Sequence, residues 1–413
     1  MTTGFSRAIA HLFLRRISSG SLTVLEDGRL DVVFGAGLPS AVVRVRSPRA
    51  WRRLLRGSNG LAEAYAQQLW DSPDLTAVVR VAARNAHGLD RLRARFAPLL
   101  APAQRARALV NRNTRRRCRR DIAAHYDLGN ELFELMLDST MSYSCAIFER
   151  PGATLQEASL AKLERVCEQL DLRAEDHLLE IGCGWGALAL HAARTRGCRV
   201  TATTISQEQH AFASEQVSRL GLQGRIEVLL EDYRDLRGTY DKLVSIEMIE
   251  AVGWRHFGTF FECCSRLLRP DGAMLLQAIT IDDRAYEVEK ASRSFMNTYI
   301  FPNGCLPSLG VIERSVEHHT DMRFAHMGDI TPHYVRTLRH WGARFERNAP
   351  SLQALGYDER FRRIWRLYLA YCEAGFAERR IADLQILLVK PHWSASARAR
   401  PARGRVLSGA PSG

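Results

Sequence analysis

Short runs near the start of the chain alternate apolar and polar residues. "LTVLE", "LDVVFG" and "AVVRVRS" have the two-residue period of half-buried strands, and "LAEAYAQQLW" has helical spacing. Ahead of them Phe5, Ile9, Leu12, Phe13 and Ile17 fall on one helical face, with Arg7, Arg15 and Arg16 largely elsewhere. Such a helix either packs on its own domain or lies in a membrane interface. Residues 1–85 are thus expected to form a small α+β domain. From 121 to 391, strand-length apolar runs alternate with helical stretches, as in an α/β domain built on a mostly parallel sheet. Nothing approaches the roughly 18–20 apolar residues that span a bilayer, and the first residues show no clear cleavage site for a signal peptide.

Two stretches stand apart from these patterns. In residues 86–120, Arg91, Arg93, Arg95, Arg105 and Arg107 lead to Arg115, Arg116, Arg117, Arg119 and Arg120, and no acid lies between Asp90 and Asp121. This reads as an exposed helical linker. Residues 392–413 are Ala, Arg, Pro, Ser and Gly with little to bury, which predicts a disordered tail.

Composition narrows the partners without choosing among them. The 413 residues are 46% hydrophobic, enough for two or three domains with cores, and the net charge of +13 favours an anionic partner. Nine scattered cysteines form no CxxC pair, which predicts reduced cytosolic thiols, no disulfide framework and no metal site.

The strongest local signal is "HLLEIGCGWGALALHAARTRG", a strand that runs through Gly182, Gly184, Trp185 and Gly186 into a helix. Glycines let a backbone turn sharply and approach a ligand, and the helix N-terminus offers free N–H groups. The next strand ends in Thr203, Thr204 and Ser206, with Gln209 beyond and no carboxylate, so a dinucleotide fingerprint is absent. No GK[ST] follows, which removes a P-loop. A third strand ends in Asp232-Tyr233-Arg234, and a fourth carries Glu247 and Glu250 just past its apolar run. Polar residues clustered at strand carboxyl ends resemble class I S-adenosylmethionine methyltransferases, which implies a Rossmann-like α/β fold.

Longer stretches are more specific. "HYDLGNELFELMLDSTMSYSCAIF", "LLEIGCGWGALA", "TTISQEQ", "DYRDL", "IEMIEAVG", "YIFPNGCLPS", "PHYVRTLRHW" and "YLAYCEAGF" occur in order across residues 121–391. Together they resemble the cyclopropane-fatty-acyl-phospholipid synthases and their mycolic-acid relatives, and residues 1–85 resemble the lipid-associated domain of the longer members. The resemblance implies an S-adenosylmethionine pocket formed by Tyr143, Ser144, Gly182, Gly184, Trp185, Gly186, Thr204, Gln209, Tyr233 and Arg234. It further implies a bicarbonate site using Cys145, Glu250, the backbone of Ile279 and Tyr334, with Cys372 nearby. The expected reaction is alkylation of a cis double bond in a phospholipid acyl chain. The resulting cation loses a proton to bicarbonate and closes a cyclopropane ring. A homodimer peripherally bound to the inner face of the membrane, in the cytoplasm, is the implied setting.

Two departures bear on the product. Gln277 stands where the family motif has His; it can donate and accept hydrogen bonds, but it cannot take up a proton at neutral pH. Ala251 replaces the usual His after the carboxylate. If deprotonation takes another course, or a partner reductase supplies hydride, the product is a methylene or methyl branch. An RNA methyltransferase is disfavoured, because the arginine run has no interleaved aromatics and no RNA-binding module is recognisable. A sensor that retains the pocket without catalysis is disfavoured by intact Cys145, Glu250 and Tyr334. Basic residues at an anionic surface contribute about 1 kcal/mol each. Neutralising Arg115, Arg116 and Arg117 together is therefore expected to weaken co-sedimentation with anionic vesicles; unchanged binding would leave them as a solvated linker.

Overall fold

The computed structural model describes residues 3–27, 31–86, 129–291 and 294–394. The arginine-rich stretch and the C-terminal tail lie almost wholly outside the described residues.

The first half-buried runs form a four-stranded sheet: β1 (Gly20–Glu26), β2 (Val32–Ala36), β3 (Ser40–Val45) and the short β4 (Trp70–Asp71), in the order β2-β1-β3-β4. Leu22 and Val24 of β1 point inward, as the alternation predicts. The helical stretch ends earlier than its spacing suggests. The helix Gly57–Ala66 stops before Gln68, whose φ of 56° turns the chain so that Trp70 begins a strand.

The N-terminal helix Thr3–Leu14 departs from the expected apolar face. It is Ser6 and Ala10 that are buried, and the His11 ring meets Phe34 and Trp51 edge-on at 5.1 Å each. Small residues allow the close approach, and the large ones are left outside: Phe5 is 55% exposed, Leu12 58% and Phe13 50%.

The second sheet has seven strands in the order β10-β11-β9-β8-β5-β6-β7. They are β5 (His177–Ile181), β6 (Arg199–Thr204), β7 (Ile226–Leu230), β8 (Tyr240–Ile246), β9 (Leu268–Ile281), β10 (Arg323–Asp329) and β11 (Ile381–Val389). β5 to β9 are mutually parallel, and β11 enters antiparallel between β9 and β10. Helices cover both faces, so the central strands are apolar on both sides. Leu179, Met274 and Leu276 pack with Phe257, Phe260 and Phe261 on one face. Leu178, Val244 and Leu275 pack with Leu163, Val166 and Ala192 on the other. The carboxyl ends of β5 to β9 therefore open on one edge, which the helices Thr331–Arg347 and Glu359–Ala377 close over.

Helix Glu359–Ala377 also holds the N-terminal residues in place. Arg363, buried, donates from Nε to the Tyr65 carbonyl (2.7 Å) and from Nη2 to the Trp70 carbonyl (3.2 Å). Its guanidinium lies 3.8 Å from the centre of the Tyr65 ring and 3.6 Å from Asp71. Residues 75–86 are helical, and Arg80 and Arg84, one turn apart, both bind Glu378 at 2.6 Å. Arg363→Ala would take the guanidinium donors from the Trp70 carbonyl and from the Tyr65 carbonyl, which keeps the Gln68 N–H at 2.9 Å, and would leave Asp71 and the Tyr65 ring without their cation. It is expected to lower stability by about 2–4 kcal/mol, read as a fall in Tm; an unchanged Tm would show that the contact contributes nothing net.

Candidate active site

At the end of β5 the chain turns through Gly182, Gly184 and Gly186 with φ of 84°, 54° and 88°. A Cβ on Gly182 would fall 2.7 Å from Met248 Cγ, so the turn needs glycine there both for conformation and for space. Helix Ala187–Arg196 starts directly after it, which places its unpaired N–H groups beside the turn. Trp185 anchors the loop: its Nε1 donates to Asn130 at 2.8 Å, and its ring tilts against Phe133.

The loop forms one end of a cavity of about 890 Å³. Thr204, Gln209, Asp232 and Tyr233 lie on its wall, as do Tyr143 and Ser144. Thr204 Oγ1 donates to Gln209 Oε1 at 2.8 Å, and Ser206 caps the helix that carries Gln209. Arg234, expected in the pocket, is turned away from it. Its Nε and Nη2 donate to Asp232 at 2.8 and 2.6 Å, fixing that carboxylate at the cavity wall. Tyr143 and Tyr368 share a hydrogen bond of 2.7 Å, and Ser144 accepts one from buried Lys162 at 3.1 Å. Burial pushes the Lys162 ammonium down while Glu247 and Glu180 push it up. Burial raises the Glu180 carboxyl to about 8.

Beyond the loop the cavity passes a group of carboxyls. Glu247 follows β8 directly, and Oε1 accepts from the Cys145 backbone N–H and from Gln277 Nε2, each at 2.8 Å. Tyr334 Oη donates to Oε2 at 2.5 Å. Burial pushes the Glu247 carboxyl up, and these three donors pull it back down. Gln277 is fully buried and donates its second N–H to Asp383 at 3.0 Å, while its oxygen accepts from Gln385 at 3.1 Å. A neutral amide offers both N–H groups of one nitrogen to two carboxyls at once, whereas a neutral imidazole has a single N–H to give. Asp383 is held well above the carboxylate range, first by burial and then by the charge of Glu247.

Glu250 sits one helical turn further. Its Oε1 accepts from the Ile279 backbone N–H at 2.6 Å, and its Oε2 is buried without a hydrogen-bond partner among the described residues. Burial and then the Glu247 charge raise it to about 8. The Cys145 thiol faces the Ala146 and Ile330 carbonyls, and burial pushes it well up. Cys372 lines the cavity, raised to about 12 by burial, and is no ready nucleophile.

These contacts bear directly on bicarbonate. Of the four groups the resemblance assigns to it, the Cys145 N–H and Tyr334 hydroxyl bind Glu247, and the Ile279 N–H binds Glu250. A further anion would sit against the Glu247 charge with three of the four groups already engaged and only the Glu250 carboxyl, protonated and unpartnered at Oε2 among the described residues, left to donate. One donor beside a like charge does not fit bicarbonate.

Part of the far wall is apolar, beside polar Arg56, Ser58, Asn59 and Arg380. Val79, Ala82, Ala83 and Ala86 from the helical residues 75–86 face the cavity, with Tyr371, Gly375 and Phe376 from helix Glu359–Ala377.

Residues 113–386 match the family described as mycolic acid cyclopropane synthetase. The chain belongs to that family. It is 37% identical over 395 residues to the tuberculostearic acid methyltransferase UfaA1 of Mycobacterium tuberculosis, covering 93% of this chain and 92% of that one. It is 36% identical over 367 residues to the cyclopropane-fatty-acyl-phospholipid synthase of Escherichia coli K12, covering 87% and 90%. Among solved structures, the cyclopropane synthase MmaA2 of M. tuberculosis aligns with a TM-score of 0.62 at 31% identity, over 66% of this chain and 98% of that one. The synthase CmaA1, solved with S-adenosylhomocysteine, aligns equally well. The protein is thus a lipid-modifying, S-adenosylmethionine-dependent enzyme of the class I methyltransferase fold. Among the described residues, no helix of this family member is long and apolar enough to cross a membrane.

Sequence reasoning placed Glu247 past a strand end without giving it a role, and it missed Lys162, Glu180 and Asp383. The two glutamates three residues apart were a visible signal; Asp383, on a distant strand, offered none. The raised Glu250 has a thermodynamic consequence. Between its ordinary value of 4.5 and about 8, the folded protein holds a proton that the unfolded chain releases, so stability falls as pH rises through that window. Glu250→Gln removes the titration. It is expected to match the wild-type Tm near pH 5 and to exceed it near pH 8, by about 1–3 kcal/mol. Equal offsets at both pH values would show that Glu250 keeps its charge.

Proposed function

We propose that the protein adds a one-carbon unit from S-adenosylmethionine to a cis double bond in the acyl chain of a membrane phospholipid. The observation that carries this reading is the single cavity that joins a glycine-loop nucleoside end to an apolar end, with carboxyls between them. S-adenosylmethionine, when bound, supplies an electrophilic methyl group, so the protein's task is placement and charge control.

An alkene is a weak nucleophile, and its attack leaves a cation on the acyl chain. Glu247 provides fixed negative charge beside that position, and the Tyr334 ring, stacked on Phe376 at 4.2 Å, provides a π-face. The apolar wall of Val79, Ala82 and Ala83 keeps out the water that would capture the cation. Exposed Phe5, Leu12 and Phe13, on a helix followed directly by Arg15 and Arg16, suit a peripheral contact with a lipid surface. A homodimer remains part of this reading, carried by the family resemblance alone.

A cyclopropane is the first product to consider. A methylene branch, reduced to a methyl branch by a partner reductase, is the second, and one observation favours it. Glu247, held by three donors, is a strong charge stabiliser and a weakened base. A longer-lived cation has time for a hydride shift before the proton leaves. The methyltransferase name of the relative matching 93% of the chain agrees with it.

Purified protein incubated with S-adenosylmethionine and unsaturated phospholipid vesicles is expected to add the mass of one CH2 per double bond. A ring resists ozone and a methylene branch is cleaved by it, so ozonolysis before fragmentation separates the two. No mass gain on any unsaturated phospholipid would overturn the reading.

A further inference from the structure

We infer that the Glu247 carboxylate is the built-in proton acceptor of this site and occupies the place the resemblance assigns to bicarbonate. This rests on the alkylation reading above. Three independent observations meet at Glu247.

The first is its donor set. The Cys145 N–H and the Tyr334 hydroxyl, two groups assigned to a bound anion, converge on its two oxygens at 2.8 and 2.5 Å, and Gln277 adds a third donor at 2.8 Å. A carboxylate and a bicarbonate have the same planar pair of oxygens, so one cradle suits either and only one at a time.

The second is the backbone. Glu247 has φ of 48°, in the left-handed region where a residue with a Cβ is disfavoured by roughly 1–2 kcal/mol. Its N–H still bonds the Gln277 carbonyl at 2.8 Å, so the geometry is held by the sheet edge. Glycine would adopt this conformation freely; the chain instead carries a side chain there and directs it at the anion cradle.

The third is the outlet for a proton. Asp383 is fully buried, lies within hydrogen-bond reach of Glu247, and shares the two N–H groups of Gln277 with it. Two carboxyls so placed hold one proton between them, because both cannot ionise together. The pair therefore enters the reaction with one shared proton and a net single charge.

The step balances on these groups. After transfer, a C–H bond of the new methyl group breaks. Its electron pair forms the C–C bond that closes the ring or, after a hydride shift, the C=C bond of the methylene branch. The proton goes to a Glu247 oxygen, so the Glu247–Asp383 pair carries two protons and returns one to solvent before the next turnover. Glu250, already protonated near neutral pH, leaves Glu247 as the charged member of the site.

The test compares wild type with Glu247→Gly and Glu247→Gln. Glycine suits the φ at this position, so Glu247→Gly is expected to fold even if the glutamine variant does not. With S-adenosylhomocysteine present, binding of 13C-labelled bicarbonate is followed by NMR. Wild type is expected to show no saturable binding and Glu247→Gly to show it. In turnover, wild type is expected to keep its rate in bicarbonate-free buffer. Glu247→Gln should lose about 100-fold or more while S-adenosylhomocysteine affinity stays unchanged, and Glu247→Gly should regain turnover as bicarbonate is added. Saturable bicarbonate binding by wild type would overturn the inference, as would a wild-type rate that collapses without it. If no acyl chain gains mass, the alkylation reading fails, and the NMR comparison still decides who occupies the cradle.

Discussion

Glu247, Glu250 and Asp383 stand within one another's electrostatic reach in a place from which bulk water is excluded, and much of the architecture answers that conflict. Like charges in a poor dielectric repel strongly, and each ion loses its hydration. The protein meets this in two ways. It keeps protons on Glu250 and Asp383, and it concentrates hydrogen-bond donors on Glu247. One negative charge then remains where the acyl chain would carry a positive one.

The sheet supplies the positions. Glu247 leaves β8 where Ile246 pairs with Gln277 of β9, and Gln277 in turn pairs with Gln385 of β11. Asp383 lies across from Ile279 on the same two strands. The antiparallel insertion of β11 therefore does more than finish the sheet, because it brings a carboxyl and an amide relay against the carboxyl ends of the parallel strands. The Gln277–Gln385–Gln169 chain of amides fixes which way each one points.

Much of this was legible in the order of residues. Strand runs, the glycine turn and its helix are local patterns, set by contacts within a few residues. The anion cradle is not local: its donors come from 102, 30 and 87 residues away. The sequence shows Gln277 as a histidine lost, and only the register shows it as an amide serving two carboxyls. The N-terminal helix misled for the opposite reason. Its large apolar residues suggest the buried face, yet the small Ser6 and Ala10 are the buried ones, beside a His11 ring that meets Trp51. Arg234 likewise looks like a ligand residue and acts on its neighbour Asp232.

The cavity's apolar wall comes partly from residues 75–86, while the carboxyl cluster belongs entirely to residues 247–383. The solved family structures align with only 66% of this chain. Reach and reactivity thus have separate addresses along the polypeptide. Alanines at 82, 83 and 86 leave depth that bulkier side chains would fill, so the depth of the cavity can drift through them without disturbing a single proton at the far end.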